Sequence, residues 1–236
     1  MAKNNQITNE NKKSEIIQKE YDDFVYAVSH DFQAPLRHIK NFLHLLFEDK
    51  ENLSEEEEQY LEHINGAVEK VHAMQSALLK LSRIKTDPET WTDIDLHDIA
   101  CKAIKHNDQG AQFKIQSKLP QIKGDSELIS TLLRLLFDNA LKFHDKNSNI
   151  KSITISSEKS ATEYLFAIQD NGVGIDPKFE DDVFKIFRQL HPNDFDGIGC
   201  GLTIAKKIVK LHNGHIWLDT DNKKEEGTTI RFSLPQ

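Results

Sequence analysis

Between residues 14 and 47, apolar side chains return at every third or fourth position: Ile17, Tyr21, Phe24, Val28, Phe32, Ile39, Leu43 and Leu46. At about 100° per residue these positions fall on one stripe, which predicts a single long amphipathic helix. Pro35 lies inside it and removes a backbone donor, so a kink is expected near that turn. Residues 48–53 are polar and acidic, and Ser54 followed by Glu57 has the form of a capping box with an acidic first turn. A second helix is therefore expected up to about Ile84, with a near-heptad stripe at Leu61, Ile64, Val68, Val71, Gln75, Leu78 and Leu81. The short connector makes the two helices antiparallel. Two helices of about 30 residues supply half of a bundle core, which implies either dimerisation into a four-helix bundle or a plain coiled-coil dimer.

Lys85-Thr86-Asp87-Pro88-Glu89 ends this period. Beyond it, Ile153 and Ile155, then Tyr164, Phe166 and Ile168, then Ile216 and Leu218, then Ile230, Phe232 and Leu234 alternate as strands with one buried face do. Helical stretches are expected near residues 96–106, 126–144 and 202–211. The fold class is α + α/β: an antiparallel helical hairpin, then an α/β sandwich with helices on one side of a mixed sheet. The expected division is a polar tail over 1–13, the hairpin over 14–85, a linker over 86–91 and the second domain over 92–236.

Length and composition narrow the function classes. A chain of 236 residues that is 38% hydrophobic holds one large or two modest cores. A net charge of −8 without any Lys/Arg block argues against a general nucleic-acid binder. Cys101 and Cys200 stand far apart, so no disulfide framework is expected and a reducing cytosol fits. Residues 1–13 lack the apolar core of a signal peptide, and no run approaches the roughly 20 apolar residues of a membrane span. The expected location is the cytoplasm, for a soluble protein or the cytoplasmic part of a larger one.

Candidate chemistry begins at His30, which falls almost opposite the apolar stripe and so faces water. A solvent-facing imidazole beside a carboxylate, here Asp31, is either a nucleophile or proton carrier, or an ordinary surface residue. A phosphate donor would decide between them, and three later segments could bind one. Asn139 and Lys142, three apart, share one face of the 126–144 helix. An amide oxygen is a neutral ligand for magnesium, and a lysine is a point charge for phosphates. Asp170 at a strand end can accept the exocyclic amine of adenine, and Gly172 and Gly174 let backbone approach a flat base. Gly197, Gly199 and Gly201 precede a helix that starts at Leu202, a flexible phosphate lid with free backbone donors.

In this order the segments resemble the transmitter core of a sensor histidine kinase, in which a helical dimerisation and phosphotransfer domain precedes an ATP-binding domain of the Bergerat type. Residues 29–37 are similar to the phospho-accepting box with His30 as the phosphorylated residue. Residues 138–143 are similar to the asparagine box, 170–174 to the first glycine box, 184–187 to the phenylalanine box and 197–201 to the second glycine box. Gln33-Ala34-Pro35-Leu36-Arg37 resembles the branch that includes bacterial phytochrome-type kinases. The resemblance implies that ATP phosphorylates His30 and that the phosphoryl group passes to an aspartate on a response-regulator receiver. It implies magnesium on Asn139, phosphates on Lys142, adenine on Phe143 and Asp170, and lid backbone at Gly199 and Gly201. Phe184 and Phe187 would anchor the lid, and Arg188 is a phosphate partner or a solvated lid arginine. The implied partners are a second copy of the chain, a receiver domain, and an upstream sensor domain or protein.

Two positions depart from the pattern. ATPases of the same nucleotide fold carry a glutamate four residues before the magnesium asparagine, but Leu135 stands there, and Asp138 is turned about 100° from Asn139. Hydrolysis is therefore the weaker reading. A non-catalytic dimeric scaffold is weaker too, given His30, Asn139, Asp170 and the glycine lid. Many histidine kinases have a second asparagine where Leu135 stands. Ala34, one turn after His30, replaces the threonine or asparagine that orients water in phosphatase-competent members, so strong kinase and weak receiver-phosphatase activity are expected. The other histidines show no ligand-like pairing, and His144 is expected only to cap the asparagine-box helix.

Overall fold

A computed structural model describes residues 25–29, 31–48, 53–107, 110–144, 150–190, 195, 197–220 and 227–236. The tail, Ile17, Tyr21, Phe24, His30, His191 and most of the connector lie outside the described residues. The chain forms two compact units, residues 1–84 and 85–236.

In the first unit residues 25–29 are helical, a turn falls at Phe32, and α1 runs Gln33–Glu48. The Phe32 N–H donates to the Val28 carbonyl at 3.2 Å, and Leu36 N–H to the Phe32 carbonyl at 3.3 Å. The regular helix is thus interrupted at Phe32, ahead of Pro35. The proline ring displaces the carbonyl four residues back, while Pro35 itself sits in a first turn, where its missing N–H costs nothing. α2, Glu55–Arg83, starts with the expected capping box: Glu57 N–H donates to Ser54 Oγ at 3.3 Å, and Ser54 N–H to the Glu57 carboxylate at 3.0 Å. The helices are antiparallel, since Lys40 meets Glu69 at 2.5 Å while Tyr26 lies under the Arg83 guanidinium at 5.4 Å. Leu36, Val68 and Ala77 are buried, but Phe32, Ile39, Phe42, Leu45, Ile64 and Val71 remain exposed on one hairpin.

The second unit holds α3 Leu96–His106, α4 Ser126–Lys142 and α5 Gly201–Leu211. Its five-stranded sheet has the order β2-β4-β5-β7-β6, from β2 Gln112–Ile115, β4 Ser152–Lys159, β5 Glu163–Asp170, β6 Ile216–Leu218 and β7 Thr229–Pro235. β2 and β4 are parallel and the other pairs antiparallel. A separate antiparallel ribbon joins β1 Thr92–Asp95 to β3 Gln121–Gly124. α4 buries Ile129, Leu132, Leu133, Leu136, Phe137 and Leu141, and from the strands Ile153, Ile155, Phe166, Ile168 and Phe232 are buried. Phe166 stacks on Phe232 at 4.8 Å, and Phe113 meets Phe137 edge-on at 5.4 Å. Each such side chain contributes about 1.5–3 kcal/mol by leaving water. With its inner face committed to this core, α4 must present its other face elsewhere.

Residues 86–91 are tied into this unit. Trp91 stacks on His212 with ring centroids 4.9 Å apart, and its indole N–H donates to Thr86 Oγ1 at 2.8 Å. Thr86 in turn donates to Asp125 Oδ2 at 3.3 Å. Asp125 also caps α4 through Oδ1, accepting from Glu127 and Leu128 N–H, and its own N–H donates to His212 Nε2 at 3.0 Å. His212 is 2% exposed, and Nδ1 lies 2.9 Å from the Ile208 carbonyl. With Nε2 accepting, the ring proton is on Nδ1 and both nitrogens are satisfied. Among the described residues no helix is long and apolar enough to cross a membrane.

Candidate functional site

Three segments far apart in sequence close one cavity of about 310 Å³ in the second unit. The half-buried side of α4 contributes Asn139 and Lys142, the end of β5 contributes Asp170, and the approach to α5 contributes Gly197, Gly199, Gly201 and Leu202. Phe143, Gly174 and Arg188 also line it.

The lid glycines each lie against a different part of this wall. A side chain at Gly199 would strike the Arg188 carbonyl at 2.4 Å, one at Gly197 would displace Lys142 Nζ at 2.4 Å, and one at Gly201 would touch Asn139 Oδ1 at 3.4 Å. Gly199 also has φ +69°, which L side chains rarely adopt. Gln189 Nε2 donates to the Gly197 carbonyl and holds the lid from the opposite side. Arg188 pairs with Asp182 at 3.1 Å. Phe184 is buried beneath, and Thr203 Oγ1 donates to its carbonyl at 3.1 Å.

Asp170 is the one carboxylate lining the cavity among the described residues. Burial pushes its pKa up to about 6, against the lowering effect of the Gly172 and Thr228 N–H groups and of His144. Both amides donate to Oδ1, at 2.8 and 3.0 Å. Oδ2 is thereby left to accept from a bound molecule. The surrounding walls are apolar, with Ile168, Val173, Ile175 and Ile230 forming a slot suited to a flat ring.

Two residues serve differently from expectation. Gly172 does not line the cavity; a Cβ there would sit 2.2 Å from the Phe143 carbonyl, so it is glycine to let the turn close on the end of α4. His144 does not cap that helix. Phe143 is the C-cap residue, while His144 bridges to Gly172 and the Phe143 carbonyl accepts from Val173 N–H at 3.0 Å. Sequence reasoning also missed Gln189, Thr228, Gly227 and Phe195, whose ring meets Phe143 edge-on at 5.1 Å. Gly227 has φ +106°, and a Cβ there would lie 1.9 Å from the Asp170 carbonyl. Of the phospho-accepting box, Asp31 and Ala34 are exposed, and His30 lies outside the described residues.

Two family models match the chain. The His Kinase A (phospho-acceptor) domain covers residues 20–87, and the histidine kinase-, DNA gyrase B- and HSP90-like ATPase covers residues 124–236. The chain belongs to the histidine kinases. This kinase chain is 32% identical over 220 residues to the phytochrome-like protein Cph1 of Synechocystis sp., covering 90% of itself and 29% of that relative. It is 29% identical over 222 residues to the methanogenesis regulatory histidine kinase FilI of Methanothrix harundinacea, covering 92% of itself and 25% of FilI. It thus spans under a third of either relative's length. In fold it resembles full-length ShkA, crystallised with AMPPNP, with a TM-score of 0.62 at 19% identity over 90% of this chain and 45% of ShkA.

Proposed function

We propose that the chain binds ATP in the second-unit cavity, transfers the γ-phosphoryl group to His30, and passes it to an aspartate of a response-regulator receiver. The observation that supports this most is the single cavity in which an ionisable acceptor, an amide and lysine pair, and a glycine lid converge, within a chain whose other half matches a phospho-acceptor domain. The slot between the Ile168 and Ile230 side takes the adenine, and Asp170 Oδ2 accepts its exocyclic amine. Lys142 and the lid backbone N–H groups before α5 hold the phosphates.

Asn139 suits magnesium, since it offers a neutral amide oxygen on the wall of the same cavity as Lys142 and the lid glycines. When bound, the ion neutralises phosphate charge. Phosphoryl transfer otherwise needs positioning and charge compensation. One nitrogen of His30 attacks the γ-phosphorus as the bond to the ADP oxygen breaks, and ADP leaves with that electron pair. Asp31 accepts the N–H of the other nitrogen, which fixes the tautomer and raises the basicity of the attacking atom. No second carboxylate lines the cavity among the described residues to activate water, and Leu135 takes the position where an ATPase base would stand. We further propose that the chain acts as a homodimer, in the cytoplasm, under a sensory input carried by another part of the polypeptide or by a partner.

The test is incubation of the full chain with magnesium and γ-labelled ATP. The expected product is an acid-labile, alkali-stable phosphoprotein that is absent from His30→Gln. Free phosphate without labelled protein overturns the reading in favour of an ATPase, and acid-stable label in favour of another kinase type.

A further inference from the structure

Among the described residues the hairpin buries three polar side chains, Ser29, Gln75 and Ser82, of which Ser82 Oγ donates to the Leu79 carbonyl at 2.9 Å. Gln75 is 5% exposed and Ser29 2% exposed, in surroundings where Val68 and Ala77 are also buried. Gln75 Nε2 donates to the carbonyl of Ser29, the residue directly before His30 in sequence. Among the described residues, Gln75 Oε1 and Ser29 Oγ, both buried, have no hydrogen-bond partner. Replacing Gln75 by an apolar side chain would remove one unpaired buried oxygen but leave the Ser29 carbonyl without its donor, so the two costs nearly offset. Stability therefore does not account for Gln75.

What the amide does is local. The turn at Phe32 and the missing N–H of Pro35 loosen the backbone ladder just beyond the phospho-accepting position. Gln75 supplies a donor from the opposite helix to the carbonyl at the start of that stretch. A hydrogen bond between the two helices also fixes axial register, because sliding either helix by a turn separates the pair.

We infer that Gln75 is a positioning residue for phosphorylation: through the Ser29 carbonyl it sets the backbone that carries His30. The inference rests on His30 being the phosphoacceptor. Gln75→Met keeps the unbranched shape and removes the donor, and Gln75→Leu does so with a different shape. In the full chain, both are expected to bind an ATP analogue within about twofold of the unmutated protein, because the nucleotide cavity lies in the other unit. Both should leave the thermal midpoint of the helical signal within a few degrees of the unmutated protein, yet phosphorylate at saturating ATP at least about tenfold more slowly. A rate within about twofold of the unmutated protein in either variant overturns the inference and leaves the His30 reading intact. A rate loss that only follows a lowered midpoint in both variants overturns it as well, assigning Gln75 to stability. If the unmutated chain gains no acid-labile label, both readings fall together.

Discussion

Asp170 carries a tension between folding and binding. Burial raises its pKa from 3.8 to about 6, so the folded form holds the proton more tightly than the unfolded chain. The sign follows: this group's stabilising contribution is present below about pH 4 and is lost as pH rises towards about 6. At neutral pH the ionised form costs about 1–3 kcal/mol. An adenine amine donated to Oδ2 favours the ionised form, so ATP-analogue affinity should weaken as pH falls below about 6, by up to tenfold per unit. Calorimetric titration between pH 5 and 8 checks this, and a flat profile would sink the role given to Oδ2. Asp170→Asn should remove the pH dependence, weaken binding at pH 7, and stabilise the empty second unit. At this scale the sequence was most legible where a function is carried by a contiguous motif. Asn139, Lys142, Asp170 and the lid glycines all meet at the cavity. Thr228 was invisible because only tertiary closure brings its segment beside Asp170, while Gln189 and Phe195 stand next to Arg188 and the lid glycines but carry no local pattern that marks their contacts. Gly172 was visible but misread, since the carbonyl it must clear belongs to Phe143, 29 positions earlier.

Among the elements, legibility tracked length and local chemistry. α2 announced its own start, because Ser54 and Glu57 exchange hydrogen bonds irrespective of the rest of the fold. Ser54→Ala should therefore lower the thermal midpoint of the helical signal, at a cost of about 1 kcal/mol, without changing nucleotide affinity. An unchanged midpoint would show that the box contributes nothing to the hairpin. β4, β5 and β7 were legible through alternation over seven or eight residues. β6 was legible from Ile216 and Leu218 although it is only three residues long. The four-residue β1, β2 and β3 interleave their few apolar positions with charged or amide side chains and were not read as strands. The end of α4 was misplaced onto His144 for a related reason. What stops the helix is the pairing of Phe143 and His144 with the turn after β5, and nothing near residue 144 encodes that partner.

For the molecule as a whole, the hairpin leaves apolar side chains exposed that one copy does not cover, among them Phe42 at 65% and Leu45 at 62%. A monomer displaying such a face is at risk of aggregation, and a second hairpin is the economical cover. Sedimentation should show a dimer, and Phe42→Glu should shift it towards monomer at equal concentration. A unit that sediments as a monomer at tens of micromolar would remove the four-helix bundle from the proposal. The other unit suggests how such kinases can be recombined. Asp125 binds Thr86, starts the helix that bears Asn139, and joins through its amide to His212 at the end of the lid helix. A chimera that joins this ATP-binding unit to a foreign hairpin should therefore be cut at residue 84. Cutting after Trp91 would amputate a strap that belongs to the donor, and the graft would arrive with the roots of both nucleotide-framing helices undone.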